Sequence, residues 1–172
     1  MNRPVVLFVD DEANVLNALR RSLRKEPYEQ LFAQDPKEAL DILGKRNVDL
    51  VVSDHLMPSM DGLSLLKMVK EHYPKIIRVL LTGHADVQMT IAAINEGEVF
   101  RFLTKPWNDA ELKVTLKNIF EFIDIRRENQ VLLDTVRKQR AFIDKLESEH
   151  PGLLTVERDD SGAIVLDEDL DG

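Results

Sequence analysis

Three acidic side chains stand where apolar segments of this 172-residue chain end. Asp10 and Asp11 follow the apolar residues 5–9, and Asp54 comes shortly after the apolar residues 50–52. Neighbouring carboxylates raise one another's pKa and repel unless a cation lies among them. Carboxylate oxygens without histidine or cysteine ligands form a hard oxygen site, which suits Mg²⁺ better than zinc or copper. These residues therefore predict a magnesium site.

A hydroxyl and an ammonium follow two later apolar segments. Thr82 ends the run at residues 76–81, and Lys105 follows the run at residues 100–103. A lysine can hold a phosphoryl oxygen as a point charge, and a threonine hydroxyl can donate a hydrogen bond to another. A carboxylate held in line with a phosphoryl donor becomes an acyl phosphate through positioning and charge neutralisation. The acids, the hydroxyl and the ammonium together predict phosphoryl transfer.

The segments that must position these residues alternate between strand-like and helix-like patterns. Five strand-like apolar segments, each followed by a helical pattern, occur within about 120 residues. Continuous apolar strands are typical of a parallel sheet that helices cover on both faces, so the fold class is α/β. The site of such a sheet lies beyond the carboxyl ends of its strands. The chemically capable residues all stand at such ends.

Two of the predicted helices have marked N-terminal signals. The stretch 35–38, Asp-Pro-Lys-Glu, combines an N-cap, a first-turn proline and a glutamate three residues past the cap. The stretch 108–111, Asn-Asp-Ala-Glu, predicts the last helix, which nothing interrupts before residues 150–152. A further helical pattern carries Val87, Ile91 and Ile94.

Four short motifs occur in a fixed order: VDDE, SDHLMPSMDG, TG and TKPW. Together they resemble the receiver domain of bacterial two-component response regulators, over about residues 4–122. The resemblance implies a flavodoxin-like, doubly wound sheet of five parallel strands in the order 2-1-3-4-5. It also implies a signalling phosphoprotein rather than an enzyme, which a histidine kinase or phosphorelay protein phosphorylates. Self-phosphorylation from small donors and self-dephosphorylation would be its only chemistry.

The resemblance assigns a role to each site residue. It implies that Asp54 accepts the phosphoryl group, which Lys105 binds, and that a cis peptide bond precedes Pro106. Thr82 and Phe102 would be the switch pair. The implied Mg²⁺ ligands are the carboxylates of Asp10, Asp11 and Asp54 and the backbone carbonyl of Leu56, with Asp10 acting partly through water.

Two other functions remain alternatives. An aspartyl-nucleophile phosphatase also uses a strand-end aspartate, Mg²⁺ and a lysine, but its second aspartate would stand where this chain has Glu12. A receiver-shaped interaction module that is never phosphorylated is the other alternative, against which the intact set of acids argues.

The last helix carries a heptad pattern in its second half. Phe122, Asn129, Val136 and Ile143 fall at a, and Ile125, Leu132, Gln139 and Leu146 fall at d. β-Branched residues at a, leucine at d and one asparagine at a favour a parallel two-stranded coiled coil. Glu121 at g and Arg126 at e could then pair between chains. The alternative is an amphipathic helix packed on its own domain.

Charge is unevenly distributed along the chain. The net charge is −8, of which residues 153–172 carry −6, so the remainder is nearly neutral and lacks the basic face that nucleic-acid binding needs. The absence of cysteine excludes disulfides and thiolate metal sites. No apolar run is long enough to cross a membrane. We therefore expect a cytoplasmic chain that binds neither nucleic acid nor membrane directly.

Three regions follow from these patterns: a receiver at 1–122, a helical extension at 123–150 and an acidic tail at 151–172. The tail resembles a β-hairpin that turns at residues 159–162. A calcium loop over residues 157–168 is a weaker interpretation, because glutamate replaces aspartate at its first position. Asp61-Gly62 reads as a turn, and the four histidines are expected on the surface or in loops. No output-domain motif is recognised.

Overall fold

The computed structural model describes residues 3–83, 91, 94–95 and 98–151. Five parallel strands form one sheet in the order β2-β1-β3-β4-β5, which confirms the predicted doubly wound topology. The strands are β1 (Val5–Val9), β2 (Glu29–Ala33), β3 (Leu50–Asp54), β4 (Ile77–Gly83) and β5 (Arg101–Lys105).

Four helices are described in full, and we number them in chain order. They are α1 (Ala13–Ser22), α2 (Pro36–Lys45), α3 (Gly62–His72) and α4 (Asp109–Glu149). Of the predicted helix between β4 and β5, residues 91, 94 and 95 are helical and the rest lies outside the described residues. The predicted tail hairpin and the calcium loop also lie outside them.

Successive side chains of a strand point to opposite faces of the sheet, and helices cover both faces, so both sets of side chains are buried. One face packs against α1 and α4, with Phe8, Val52 and Val79 in its core. The other face packs against α2 and α3, with Leu7 and Val51 in its core. This two-sided burial explains why the strands read as continuous apolar runs rather than as alternating ones.

Both predicted helix starts are confirmed. At α2 the Asp35 carboxylate accepts a hydrogen bond from the Glu38 N–H at 2.8 Å, and the Glu38 carboxylate accepts one from the Gln34 N–H. At α4 the Asn108 side-chain oxygen accepts hydrogen bonds from the N–H groups of Ala110 and Glu111. These contacts satisfy backbone donors that have no partner within the first helical turn.

The chain divides into two compact units between Asp124 and Ile125. Within the first unit, α4 buries Leu116, Ile119 and Ile123. Within the second unit, the large apolar side chains from Ile125 to Ile143 are 47–64% exposed. Despite its 41 residues, α4 is not apolar enough to cross a bilayer, and neither is any other helix in the described part of the chain.

Candidate functional site

The carboxyl ends of the central strands meet at one edge of the sheet. Strands β3 and β4 pair Asp54 with Leu81, and β4 and β5 pair Thr82 with Thr104 and Gly83 with Lys105. Because all strands are parallel, the residues that end them share this edge. The register therefore explains why residues distant in the sequence form one site.

Three carboxylates cluster at this edge. Asp10, Asp11 and Asp54 offer oxygens that all lie within 4.8 Å of one another. Asp10 is 1% exposed and Asp54 is 7% exposed, whereas Asp11 is open to solvent. Carboxylate oxygens with solvent access on one side fit Mg²⁺, which keeps several waters when it binds to proteins. The residues present thus match the metal that the sequence predicts.

The Lys105 ammonium lies between the two buried acids. Its Nζ is 2.7 Å from Asp10 Oδ2 and 2.7 Å from Asp54 Oδ1. Burial alone would lower the pKa of Lys105, but hydrogen bonds with the two carboxylates outweigh burial and raise its pKa above the usual value. The lysine therefore stays charged beside Asp54.

One ammonium only partly offsets the cost of burying two carboxylates. Burial raises the pKa of Asp10 and exceeds the opposing effect of its hydrogen bonds from Lys105 and from the Glu12 N–H; the nearby charge of Asp54 raises it further. A divalent cation at this position would stabilise the ionised form of Asp10. The electrostatics of the cluster thus favour an additional positive charge.

The other residues implied by the resemblance lie in β4, in β5 and directly after β3 and β5. Thr82 is fully buried, and its hydroxyl donates to the Gly83 carbonyl at 3.3 Å. Phe102 is partly buried against the core on the α2–α3 face of the sheet. Leu56 lies two residues after Asp54, and its side chain is exposed. The peptide bond between Lys105 and Pro106 is cis, as expected.

Sequence reasoning missed the role of the loop between β3 and α3. His55 lies in a loop, as expected, but it is buried rather than on the surface: its N–H donates to the Leu81 carbonyl, and its own carbonyl accepts from the Gly62 N–H at 2.8 Å. Asp61 is not merely a turn residue, because its carboxylate caps α3 by accepting from the Ser64 N–H and hydroxyl. The Asp-x-x-Ser spacing is the signal that could have indicated this cap.

The hydrogen bonds of this cap favour the ionised form of Asp61. Burial raises the pKa of this carboxyl, but the hydrogen bonds from Ser64 and the attraction of His55 together lower it below the usual value. Asp61 is therefore ionised at neutral pH. The hydrogen bond from Gly62 to the His55 carbonyl holds the start of α3 against the segment that follows Asp54.

Gly62 lies directly against the backbone of Asp54. A Cβ atom at this position would lie 1.9 Å from the Asp54 carbonyl oxygen. We expect Gly62→Ala to destabilise the chain by about 1–3 kcal/mol, because the loop or the Asp54 backbone must move. Urea unfolding measures this, with Gly44→Ala as the control, since a Cβ there meets nothing within 4 Å. Equal stability of the two variants would contradict the close approach.

Comparisons with known proteins agree with this geometry. The family model described as "Response regulator receiver domain" matches residues 6–117. The hydrogenase transcriptional regulatory protein HoxA of Bradyrhizobium diazoefficiens is 31% identical over 148 residues, which are 86% of this chain and 30% of that protein. The DNA-binding transcriptional regulator NtrC of Escherichia coli is 32% identical over 108 residues, 63% of this chain and 23% of that protein. This chain thus spans less than a third of these relatives.

Solved receiver domains share the fold at nearly full length. The signal receiver domain of an HD domain-containing protein from Pseudomonas fluorescens is 42% identical, with a TM-score of 0.69, over 74% of this chain and 94% of that chain. A response regulator receiver domain from Clostridium thermocellum is 29% identical, with a TM-score of 0.66, over 71% of this chain and 98% of that chain. Sheet order, family match and these likenesses together show that the chain belongs to the response regulator receiver domain family.

Proposed function

We propose that this chain is a phosphoacceptor in two-component signalling, and that a histidine kinase or phosphorelay protein transfers a phosphoryl group to Asp54. The observation that carries the proposal is the placement of the Asp54 carboxylate, buried, beside two further acids and 2.7 Å from the Lys105 ammonium. Nothing but positioning and charge neutralisation is required for such a transfer. We also propose a cytoplasmic location, where the phosphodonor would meet it.

Each site residue has a part in the proposed transfer. An Asp54 carboxylate oxygen forms the new bond to phosphorus as the bond between phosphorus and the donor breaks, and the donor group leaves with the bonding electron pair. Lys105, which pairs with Asp54 beforehand, holds an oxygen of the transferred group. Asp10, Asp11, Asp54 and the Leu56 carbonyl would hold Mg²⁺, which supplies charge neutralisation when bound.

The same residues connect transfer to a change of surface. The Thr82 hydroxyl donates to Gly83 here and would donate to a phosphoryl oxygen after transfer. Its strand, β4, pairs with β5, which carries Phe102, so that a shift of Thr82 changes the packing of this ring. We infer that phosphorylation biases an equilibrium between two arrangements of the surface around β5.

Intact-mass spectrometry tests the transfer. Incubation with a small acyl phosphate and Mg²⁺ should add one phosphoryl group to the chain, and a metal chelator should prevent the addition. Absence of the adduct together with absence of Mg²⁺ binding would support an unphosphorylated interaction module instead. Multiple turnover of an unrelated phosphate ester would support a phosphatase.

We further propose that the helical extension is the dimer seam of a parallel coiled coil. The receiver would occupy residues 1–122 and the extension residues 123–150, followed by the acidic tail at 151–172. Ile125, Leu132, Val136 and Ile143 are exposed in the described chain, although burying such side chains is favourable. A second copy with the same heptad would cover them, and Asn129 would fix the register.

Substitutions at two neighbouring residues distinguish a coiled-coil seam from a general apolar surface. Leu132, at d, is 62% exposed, and Val131, outside the seam at c, is 64% exposed. We expect Leu132→Asp to abolish the dimer, because a charge would be buried in the seam, and Val131→Asp to leave it intact. Light scattering at matched concentrations measures both masses. Equal effects of the two variants, or a monomeric wild type, would refute the seam.

A further inference from the structure

Two aromatic rings of the first unit stack on each other at its surface. The ring centroids of Phe100 and Phe122 are 5.1 Å apart with an interplanar angle of 27°. Phe100 is 42% exposed and Phe122 is 38% exposed, so the pair remains open to solvent on part of its surface. Stacked aromatic pairs are favourable beyond the area that they bury. The contact therefore holds the Phe122 ring toward Phe100.

Phe100 is attached to the strand that carries the proposed switch. Its N–H donates to the Arg78 carbonyl of β4 at 2.8 Å, and β5 begins at the next residue. Phe100 directly precedes β5, and Phe102 is the second residue of that strand. A displacement of β5 that repacks Phe102 therefore also moves the ring on which Phe122 is stacked.

Phe122 is at the same time the first a position of the heptad. Its neighbours Ile119 and Ile123 are buried in the first unit, so they fix the path of α4 at this point. A residue at a must insert into a hole formed by four residues of the facing helix. A ring face covered by Phe100 is not available to that hole. Phe100 and a facing helix thus compete for this ring.

We propose that Phe122 couples the switch to the seam by exchanging Phe100 for a second copy of this chain. In the unphosphorylated chain the stack keeps Phe122 out of the seam, which then begins at Ile125. Phosphorylation moves β5, releases Phe122 and adds one core layer to the coil, so the dimer tightens. The proposal rests on the phosphoacceptor and the seam proposed above.

The partner is a second copy because the residues around Phe122 suit self-association. Glu121 precedes it at g and Arg126 follows at e, so a parallel pair brings opposite charges together on both sides of the first layer. Asn129, at the next a position, favours two strands in a single register. The charges beside this apolar layer on one copy are therefore complementary to those on the second copy.

Sedimentation measurements of the dimer dissociation constant of the full chain test the exchange. Beryllofluoride with Mg²⁺ stands in for the phosphoryl group on Asp54. For the wild type we expect it to lower the dissociation constant by about 5-fold, the scale of one aromatic contact. Phe100→Ala should reach the lower value without beryllofluoride and then show no further response.

Two substitutions at Phe122 distinguish release of the ring from loss of the layer. Phe122→Leu removes the stack but keeps an apolar a residue, so it should behave like Phe100→Ala. Phe122→Ala should keep the higher dissociation constant with and without beryllofluoride. Val114→Ala, an exposed apolar residue of the same helix outside the stack, should respond like the wild type. Circular dichroism confirms that each variant is folded.

The possible results distinguish the exchange at Phe122 from the two proposals on which it rests, the coiled-coil seam and the phosphoacceptor. A wild-type response that persists in Phe100→Ala overturns the exchange while leaving the seam intact. A wild type that stays monomeric although fluorine NMR shows bound beryllofluoride overturns the seam, and the exchange with it. Failure of beryllofluoride to bind overturns the phosphoacceptor assignment itself.

Discussion

Asp54→Asn is expected to abolish phosphorylation of the chain. A neutral amide cannot form the acyl phosphate, and the substitution also removes one of the three clustered carboxylates. Intact-mass spectra with a small acyl phosphate and Mg²⁺ should show the adduct on the wild type and none on the variant. The expected effect is a complete loss rather than a slower reaction.

The fold of this variant should persist. Asparagine has nearly the same size as aspartate, and Lys105 keeps its contact with Asp10 at 2.7 Å. Asp41→Asn, an exposed aspartate on α2, is the matched control and should be phosphorylated like the wild type. An adduct on Asp54→Asn at the wild-type level would show that another residue accepts the phosphoryl group.

Lys105→Met is expected to destabilise the metal-free chain by about 3 kcal/mol. The substitution leaves the buried carboxylates of Asp10 and Asp54 without the ammonium that lies between them. Urea unfolding at neutral pH in the presence of a chelator measures the effect. Mg²⁺ should reduce the deficit, because a divalent cation neutralises the same two acids.

The pH dependence of this deficit has a defined sign. The folded-state pKa of Lys105 is raised above 10.5, so its stabilising contribution is fully present below pH 10.5 and is lost as the pH rises through the folded value. On the alkaline side, the difference in stability between wild type and variant should therefore shrink only above pH 10.5. Lys117→Met removes an exposed pair with Glu121 and should cost under about 0.5 kcal/mol. Equal losses for both variants would contradict the role of Lys105.

The sheet and the acid cluster could be predicted because they depend on local patterns. A continuous apolar run such as Val5–Val9 is buried on both faces, and parallel register then brings the residues after each run to one edge. The positions of Asp10, Asp54 and Lys105 follow from these two facts. The helix starts at Asp35 and Asn108 follow from hydrogen bonds within one turn.

The missed features depend on contacts through space. Gly62 approaches Asp54 because the intervening loop folds back onto β3, and the letters Asp-Gly indicate only that some turn or cap occurs. His55 is buried, and its carbonyl accepts a hydrogen bond from Gly62, a contact that no local pattern of residues indicates. The stack of Phe100 on Phe122 joins a strand to a helix, and no spacing rule relates these two positions.

The most direct test of the central claim is to locate the acceptor in the wild-type chain. After incubation with a small acyl phosphate and Mg²⁺, borohydride reduction converts an aspartyl phosphate to homoserine, and peptide mass spectrometry identifies the modified position. We predict modification at Asp54 alone. Modification at Asp10 or Asp11, or a phosphoryl group that resists reduction because it lies on a hydroxyl, would contradict the assignment of Asp54.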